Sequence, residues 1–330
     1  MKSVLPGSVL LSLTYFSLFI LGCQQPSSSS EGAVVAGEFM SMSPTAQPRL
    51  LAPELLASSL TEYNGTFNPE GDEFFFTTNT PSKGIICYTT LGADDQWTEP
   101  KVAEFSGTFS EYDPLFSPDG KRLYFSSERP LPENEKNTYT NIWYVERTGE
   151  SWSEPVYVDL KGFGNYYSSI TNSGNIYFNV WNNGDMFKAV PGEDGYEVER
   201  LPDVLNSDNG EGDPFVSPDE DYIIFRGYNN SLGNGDLFIS FFIDGQWTVP
   251  ENLGEPINSQ YHEMCPYVTT DKQYFIFASS RLKEKYSSNG GGSVEGLRSK
   301  HQTFDNGDQN IYYMSAGFIE QMKEKHLKEK

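Results

Sequence analysis

Short runs of alternating apolar and polar residues, separated by turn residues, fill most of the chain. The run from Tyr112 to Arg129 shows the pattern most fully. Tyr112-Asp113-Pro114-Leu115-Phe116 reads as a short strand, and Ser117-Pro118-Asp119-Gly120 reads as a tight turn. Proline presets φ at one turn position, aspartate bonds the backbone ahead of it, and glycine tolerates positive φ. Beyond the turn, Leu123 and Phe125 alternate with Arg122, Tyr124 and Ser126, which is the period of a second strand.

The unit recurs, and self-similarity at a period of roughly 40–50 residues marks a propeller or another array. Further copies run through Gly65-Thr66-Phe67-Asn68-Pro69-Glu70-Gly71, Tyr167-Ser168-Ser169-Ile170-Thr171-Asn172-Ser173-Gly174, Gly212-Asp213-Pro214-Phe215-Val216-Ser217-Pro218-Asp219 and Cys265-Pro266-Tyr267-Val268-Thr269-Thr270-Asp271. The third copy departs furthest from the pattern. Each copy continues into a third strand, such as Asn141-Ile142-Trp143-Tyr144-Val145. A fourth strand then opens with Trp97, Trp152 or Trp247. The fifth copy has no fourth strand of its own, and Pro48-Arg49-Leu50-Leu51-Ala52-Pro53 has the character of one. Pairing the two ends would close the ring and remove exposed sheet edges. The expected fold is all-β: a five-bladed β-propeller closed by an N-terminal strand.

These repeats, above all Ser117-Pro118-Asp119-Gly120 through Arg129, resemble the TolB-like (WD40-like) β-propeller repeat family over about residues 48–316. The resemblance implies a propeller and is unspecific for activity. The best-known members have six blades, so six is the alternative to the five copies counted here.

The chain start reads as a targeting segment. Lys2 precedes a mostly apolar run from Val9 to Leu21, too short for a transmembrane helix, and Ile20-Leu21-Gly22-Cys23 looks like a bacterial lipoprotein box. Residues 1–22 are then the signal peptide, Cys23 carries the lipid, and 23–47, rich in Ser, Gly, Ala and Gln, form a flexible tether. An ordinary signal peptide is the alternative. The propeller spans 48–316, and 317–330 has helical spacing of apolar residues. The expected location is the bacterial cell envelope, with the membrane engaged through the lipid anchor only. Cys87 and Cys265 fall at different radii of the propeller, so no bridge between them is expected. A formal charge of −23 argues against nucleic acid or an anionic membrane surface as partner.

In a propeller the loops entering first strands and those leaving second strands open on one face. That rule gathers Glu62, Glu111, Asp113, Glu211, Asp213, His262 and Glu263 with Arg129, Arg226 and Arg281 around one channel mouth. Two readings stand. The residues are ties between blades, as their recurrence suggests, or they grip a polar ligand through arginine forks and carboxylates. A carboxylate ring also suits Ca²⁺, although no loop has a dedicated calcium spacing. The recurring tryptophans point to packing between blades. No His-x-x-x-His, Gly-x-Ser-x-Gly or Cys-x-x-Cys motif occurs. The expected function is a lipid-anchored envelope propeller that binds a glycan, a peptide or a protein partner at the mouth. The alternatives are a carbohydrate-active enzyme, either glycosidase or polysaccharide lyase, and a scaffold component of an envelope complex.

Overall fold

The computed structural model describes residues 45–328 apart from positions 94, 133–135, 137–138, 163, 283–292 and 305. The expected signal peptide, Cys23 and most of the tether lie outside the described residues. Five antiparallel sheets form a five-bladed β-propeller. The first strands are Thr61–Phe67, Glu111–Phe116, Asn165–Ile170, Gly212–Val216 and Glu263–Val268. Each contacts the first strand of the next blade, and the fifth contacts the first, so the strands enclose a central channel.

The ring closes as expected. The N-terminal strand Arg49–Leu50 pairs antiparallel with Asn310–Ser315, with Arg49 opposite Tyr313, and becomes the outermost strand of blade five. Leu51 follows it into the core at 1% exposure.

One turn chemistry is repeated in all five blades. A short polar side chain at the end of the first strand accepts a backbone N–H from the start of the second. Glu73 N–H reaches Asn68 Oδ1 at 2.9 Å, Arg122 N–H reaches Ser117 Oγ at 3.0 Å, and Asn175 N–H reaches Thr171 Oγ1 at 3.1 Å. Tyr222 N–H and Tyr274 N–H bond Ser217 Oγ and Thr269 Oγ1 in the same way. Gly120 takes φ +68° in its turn, where a side chain would be strained.

Both faces of every blade are buried between neighbours, so strand residues of either parity are apolar. Phe74 and Phe76 pack into the cluster shared with blades four and five, while Phe75 faces the opposite way into the cluster with Phe116 and Phe125 of blade two. All three are at most 2% exposed, and each such burial contributes about 2 kcal/mol. The tryptophans of the fourth strands pack backwards. Trp152 of blade two lies edge-on to Phe75 of blade one at 6.0 Å, and Trp247 of blade four packs against the cluster of Tyr177 and Met186 of blade three. The helix Phe318–Lys328 spans blades five and four. Phe318 meets Phe275 at 5.3 Å, and Lys323 pairs with Asp221 at 2.6 Å. Cys87 and Cys265 are both free thiols.

Candidate functional site

The candidate carboxylates are not loop residues. Glu62, Glu111 and Glu263 lie on first strands and Glu211 immediately before one, and all four are at most 5% exposed. Each turns back onto the loop that enters its strand. Glu62 accepts the backbone N–H of Ser58 at 3.2 Å and its hydroxyl at 2.5 Å. Glu263 accepts the same two groups of Ser259 at 3.0 and 2.7 Å, and Glu211 those of Ser207. Glu111 uses Gly107 N–H and the Ser106 hydroxyl, both at 3.0 Å. In blade three the position is Asn165. Burial pushes the Glu62 carboxyl up to about 7 against the lowering bonds from Ser58, and burial raises Glu211 as well.

Arg129 and Arg281 complete this latch in blades two and five. Arg129 Nη2 donates to Glu111 Oε1 at 3.1 Å and to the Phe105 carbonyl at 3.0 Å. Arg281 Nη2 donates to the carbonyls of Pro256, at 2.9 Å, and Ile257, and its Nε lies 3.5 Å from Glu263 Oε1. Both guanidiniums lie over aromatic rings of their own blade, Arg129 over Phe125 and Arg281 over Phe277.

Arg226 does not belong with these two. It lies within the second strand Tyr222–Gly227, opposite Gly212, at the position held by Ser126 in blade two and Ala278 in blade five. A Cβ on Gly212 would come within 2.2 Å of Arg226 Nη2, so the glycine leaves room for the guanidinium to lie inward. Its Nε donates to Asp213 Oδ2 at 2.9 Å, and its Nη1 donates to the Tyr228 hydroxyl. Burial alone would lower Arg226, but Asp213 more than reverses that and holds it above its ordinary range.

A second ring lies two residues inward from the latch. Each first strand is bulged there, and the bulge residue has left-handed backbone: Asn64, Asp113, Tyr167, Asp213 and Cys265, with φ from 51° to 56°. Asparagine and aspartate tolerate this region, whereas tyrosine and cysteine are held there by their surroundings. Tyr167 reaches across the channel from blade three, and its hydroxyl donates to the Pro266 carbonyl of blade five at 3.1 Å. Asp113 accepts from Asn64 Nδ2 at 3.1 Å and from Ser126 Oγ at 3.0 Å. Burial, followed by the charge of Asp213, pushes its carboxyl up to about 7. The channel is therefore plugged by side chains at this level.

His262 sits beside this group. Its Nδ1 lies 3.3 Å from Gln309 Nε2, and Gly235 packs so closely that a Cβ would come 2.7 Å from its ring. Burial and the Arg226 charge lower its pKa, opposed by Asp213 and Glu263.

Exposed aromatic side chains gather on the strand-start face. Five aromatic side chains are exposed among the described residues, and Phe109, Tyr139, Trp181 and Tyr228 stand on loops at this strand-start end. Only Phe242 lies elsewhere. Trp181 is 66% exposed, yet its ring stacks on Tyr166 at 4.7 Å and 26°. Burial and the nearby Asp213 raise the Tyr166 phenol, and Arg226 opposes them, so the hydroxyl lies within their field. The opposite end of the channel holds an apolar cavity of about 200 Å³, walled by Phe67, Phe116, Ile170, Phe215 and Val268. None of the site residues named from the sequence lines it.

No family model matches this chain, and no curated protein matches it in sequence. Among solved structures it is similar to a protein assigned as TolB from Agrobacterium tumefaciens, with 15% identity over 77% of this chain and 90% of that one and a TM-score of 0.47. It is also similar to TolB from Acinetobacter baumannii, with 19% identity over 60% of this chain and 44% of that one and a TM-score of 0.41. An α-L-arabinofuranosidase from Podospora anserina, solved with cellotriose, shows 12% identity over 79% and 98% and a TM-score of 0.43. This chain spans under half the length of the Acinetobacter protein. Likenesses this distant carry no argument about function, and the blade count comes from the chain's own sheets.

Two sets of residues escaped the reading of the sequence. Ser58, Ser207 and Ser259 each precede a latch glutamate by four residues, a Ser-x-x-x-Glu spacing that is visible in the chain. Trp181 stands outside the tryptophan position of the fourth strands, and that departure from the repeat was its only signal.

Proposed function

We propose that this chain is a binding module of the bacterial envelope, lipid-anchored through Cys23, that engages a ligand or partner on the strand-start face of its propeller. The observation that carries the reading is Trp181. A large indole, mostly exposed, is held in one orientation by the ring of Tyr166. An exposed aromatic that is already ordered loses little conformational freedom on binding, and such residues anchor recognition surfaces. The seat lies beside the inward group of Arg226, Asp213 and His262. The Glu62, Glu111, Glu211 and Glu263 carboxylates support the blades beneath it.

A catalytic reading has one observation in its favour. Asp113 is held near neutral pH beside an ion-paired Asp213, a separation of roles that acid–base sites use. It ranks second because Asp113 is only 7% exposed and both its oxygens accept hydrogen bonds within the channel.

The envelope part of the proposal rests on Ile20-Leu21-Gly22-Cys23. Cys23→Ser should move the protein from the membrane to the soluble fraction, and an unchanged distribution refutes the anchor. The binding part is tested by titrating separated glycan and protein pools of envelope extract into the full chain and into Trp181→Ala, read by calorimetry. A heat of binding that Trp181→Ala abolishes is the expected result, and binding that ignores the substitution contradicts the seat.

A further inference from the structure

We infer that the seat on the strand-start face takes a neutral sugar ring and not a charged ligand; this rests on the binding reading given above. Three observations lead there. The first is the exposed face of Trp181, backed by Tyr166. An indole offers a broad, weakly polar plane, and the C–H face of a pyranose packs on such a plane while its hydroxyls point outward.

The second is that the arginines and buried glutamates at this end are already bonded to groups of the protein. Arg129 is bonded to Glu111 and to the Phe105 carbonyl, Arg281 to the Pro256 and Ile257 carbonyls, and Arg226 to Asp213 and the Tyr228 hydroxyl. The three arginine side chains are only 11–19% exposed, so little of their charge is open to an incoming carboxylate or phosphate. The glutamates beside them turn inward onto serine hydroxyls and backbone N–H groups, so they offer no seat for an ammonium group either. The formal charge of −23 further disfavours an acidic ligand.

The third is a neutral amide pair on loops of the same face. Gly184, three residues after Trp181, lies against Gly210, where a Cβ on the former would come within 3.0 Å of the latter's Cα. Glu211 N–H also donates to the Gly184 carbonyl at 3.0 Å. The two loops therefore form one surface, and on it Asn209 Nδ2 donates to Asn229 Oδ1. Asn209 Oδ1 and Asn229 Nδ2 have no partner among the described residues. An acceptor and a donor, both uncharged and both exposed, stand on the loop that packs against the Trp181 loop and on its neighbour. That combination suits the hydroxyl edge of a sugar, which donates and accepts at once.

The test uses the full chain carrying Cys23→Ser, titrated by calorimetry with neutral tetrasaccharides of glucose, galactose and mannose, with trigalacturonate, and with short peptides. The expected result is that a neutral tetrasaccharide binds more tightly than trigalacturonate or any peptide. Trp181→Ala should weaken that binding at least tenfold and Asn229→Ala a few-fold, with melting temperatures unchanged, while Trp181→Phe retains part of the affinity. Tighter binding of trigalacturonate or a peptide, lost in Trp181→Ala, would overturn the neutral-sugar inference and leave the binding seat standing. Tetrasaccharide binding that is indifferent to Trp181 would overturn both. So would an absence of Trp181-dependent binding across the whole panel.

Discussion

The same five strands carry two rings of polar positions, and the rings behave differently. In the outer ring, at Glu62, Glu111, Asn165, Glu211 and Glu263, four of five blades use one residue type for one task. Each glutamate fastens the loop entering its strand through a hydroxyl and a backbone N–H. In the inner ring, at Asn64, Asp113, Tyr167, Asp213 and Cys265, the backbone repeats but the side chain changes among blades. The backbone of the bulge is what every blade needs. The side chain is free to differ, and in blades three and four it differs in ways that build the plug and the Arg226 group. Repetition marks what holds the blades, and departure from repetition marks what distinguishes this propeller from any other.

The comparison breaks first at the latch. Glu111 is 0% exposed and holds Ser106, Gly107, Ser127 and Arg129. Glu111→Ala removes the carboxylate partner of the part-buried Gly107 N–H, the Ser106 and Ser127 hydroxyls and the mostly buried Arg129 guanidinium, and should destabilise the fold by about 3 kcal/mol in urea unfolding. Ligand affinity per folded molecule should not change.

The inner ring should respond in the opposite sense at one position. The Asp113 carboxyl is raised to about 7 from its ordinary 3.8, first by burial and then by Asp213. As pH rises the unfolded chain ionises first, so this group's contribution to stability is complete below about pH 4 and lost between about 4 and 7. Asp113→Asn removes the titration. Relative to the parent, the variant should gain roughly 3–4 kcal/mol as pH is raised from 4 to 8, measured as the difference between their urea midpoints. A difference that is flat with pH would show that Asp113 does not carry the strain. Tyr167→Phe is milder. It deletes the hydroxyl bond to Pro266 and should cost about 1 kcal/mol, with no effect on binding.

The fold was readable because its determinants are local. Ser-Pro-Asp-Gly turns, strand alternation and the strand-like Pro48–Pro53 each act over a few residues, and together they required a closed ring. The site was less readable because its determinants are not local. The glutamates stood out as a ring, but their partners lie on the entering loops, and no pattern of charge alone reveals that the carboxylates turn inward. Arg226 was grouped with Arg129 and Arg281, although it sits three residues earlier on its strand. The error arose because Gly212, the residue that makes room for it, has no side chain to announce that role. Trp181 lies in the loop between the second and third strands of blade three, and that loop differs so much in length and residues from blade to blade that a repeat-based reading has little to align there.

The measurement that tests the division most directly sets Glu111→Ala and Trp181→Ala side by side, each in urea unfolding and in titration with the tetrasaccharide panel. Crossed results are expected. Glu111→Ala loses about 3 kcal/mol of stability and keeps its affinity, while Trp181→Ala keeps its stability within about 0.5 kcal/mol and loses at least tenfold in affinity. If Glu111→Ala abolishes binding while the fold holds, the latch ring is itself the ligand site and the account is wrong.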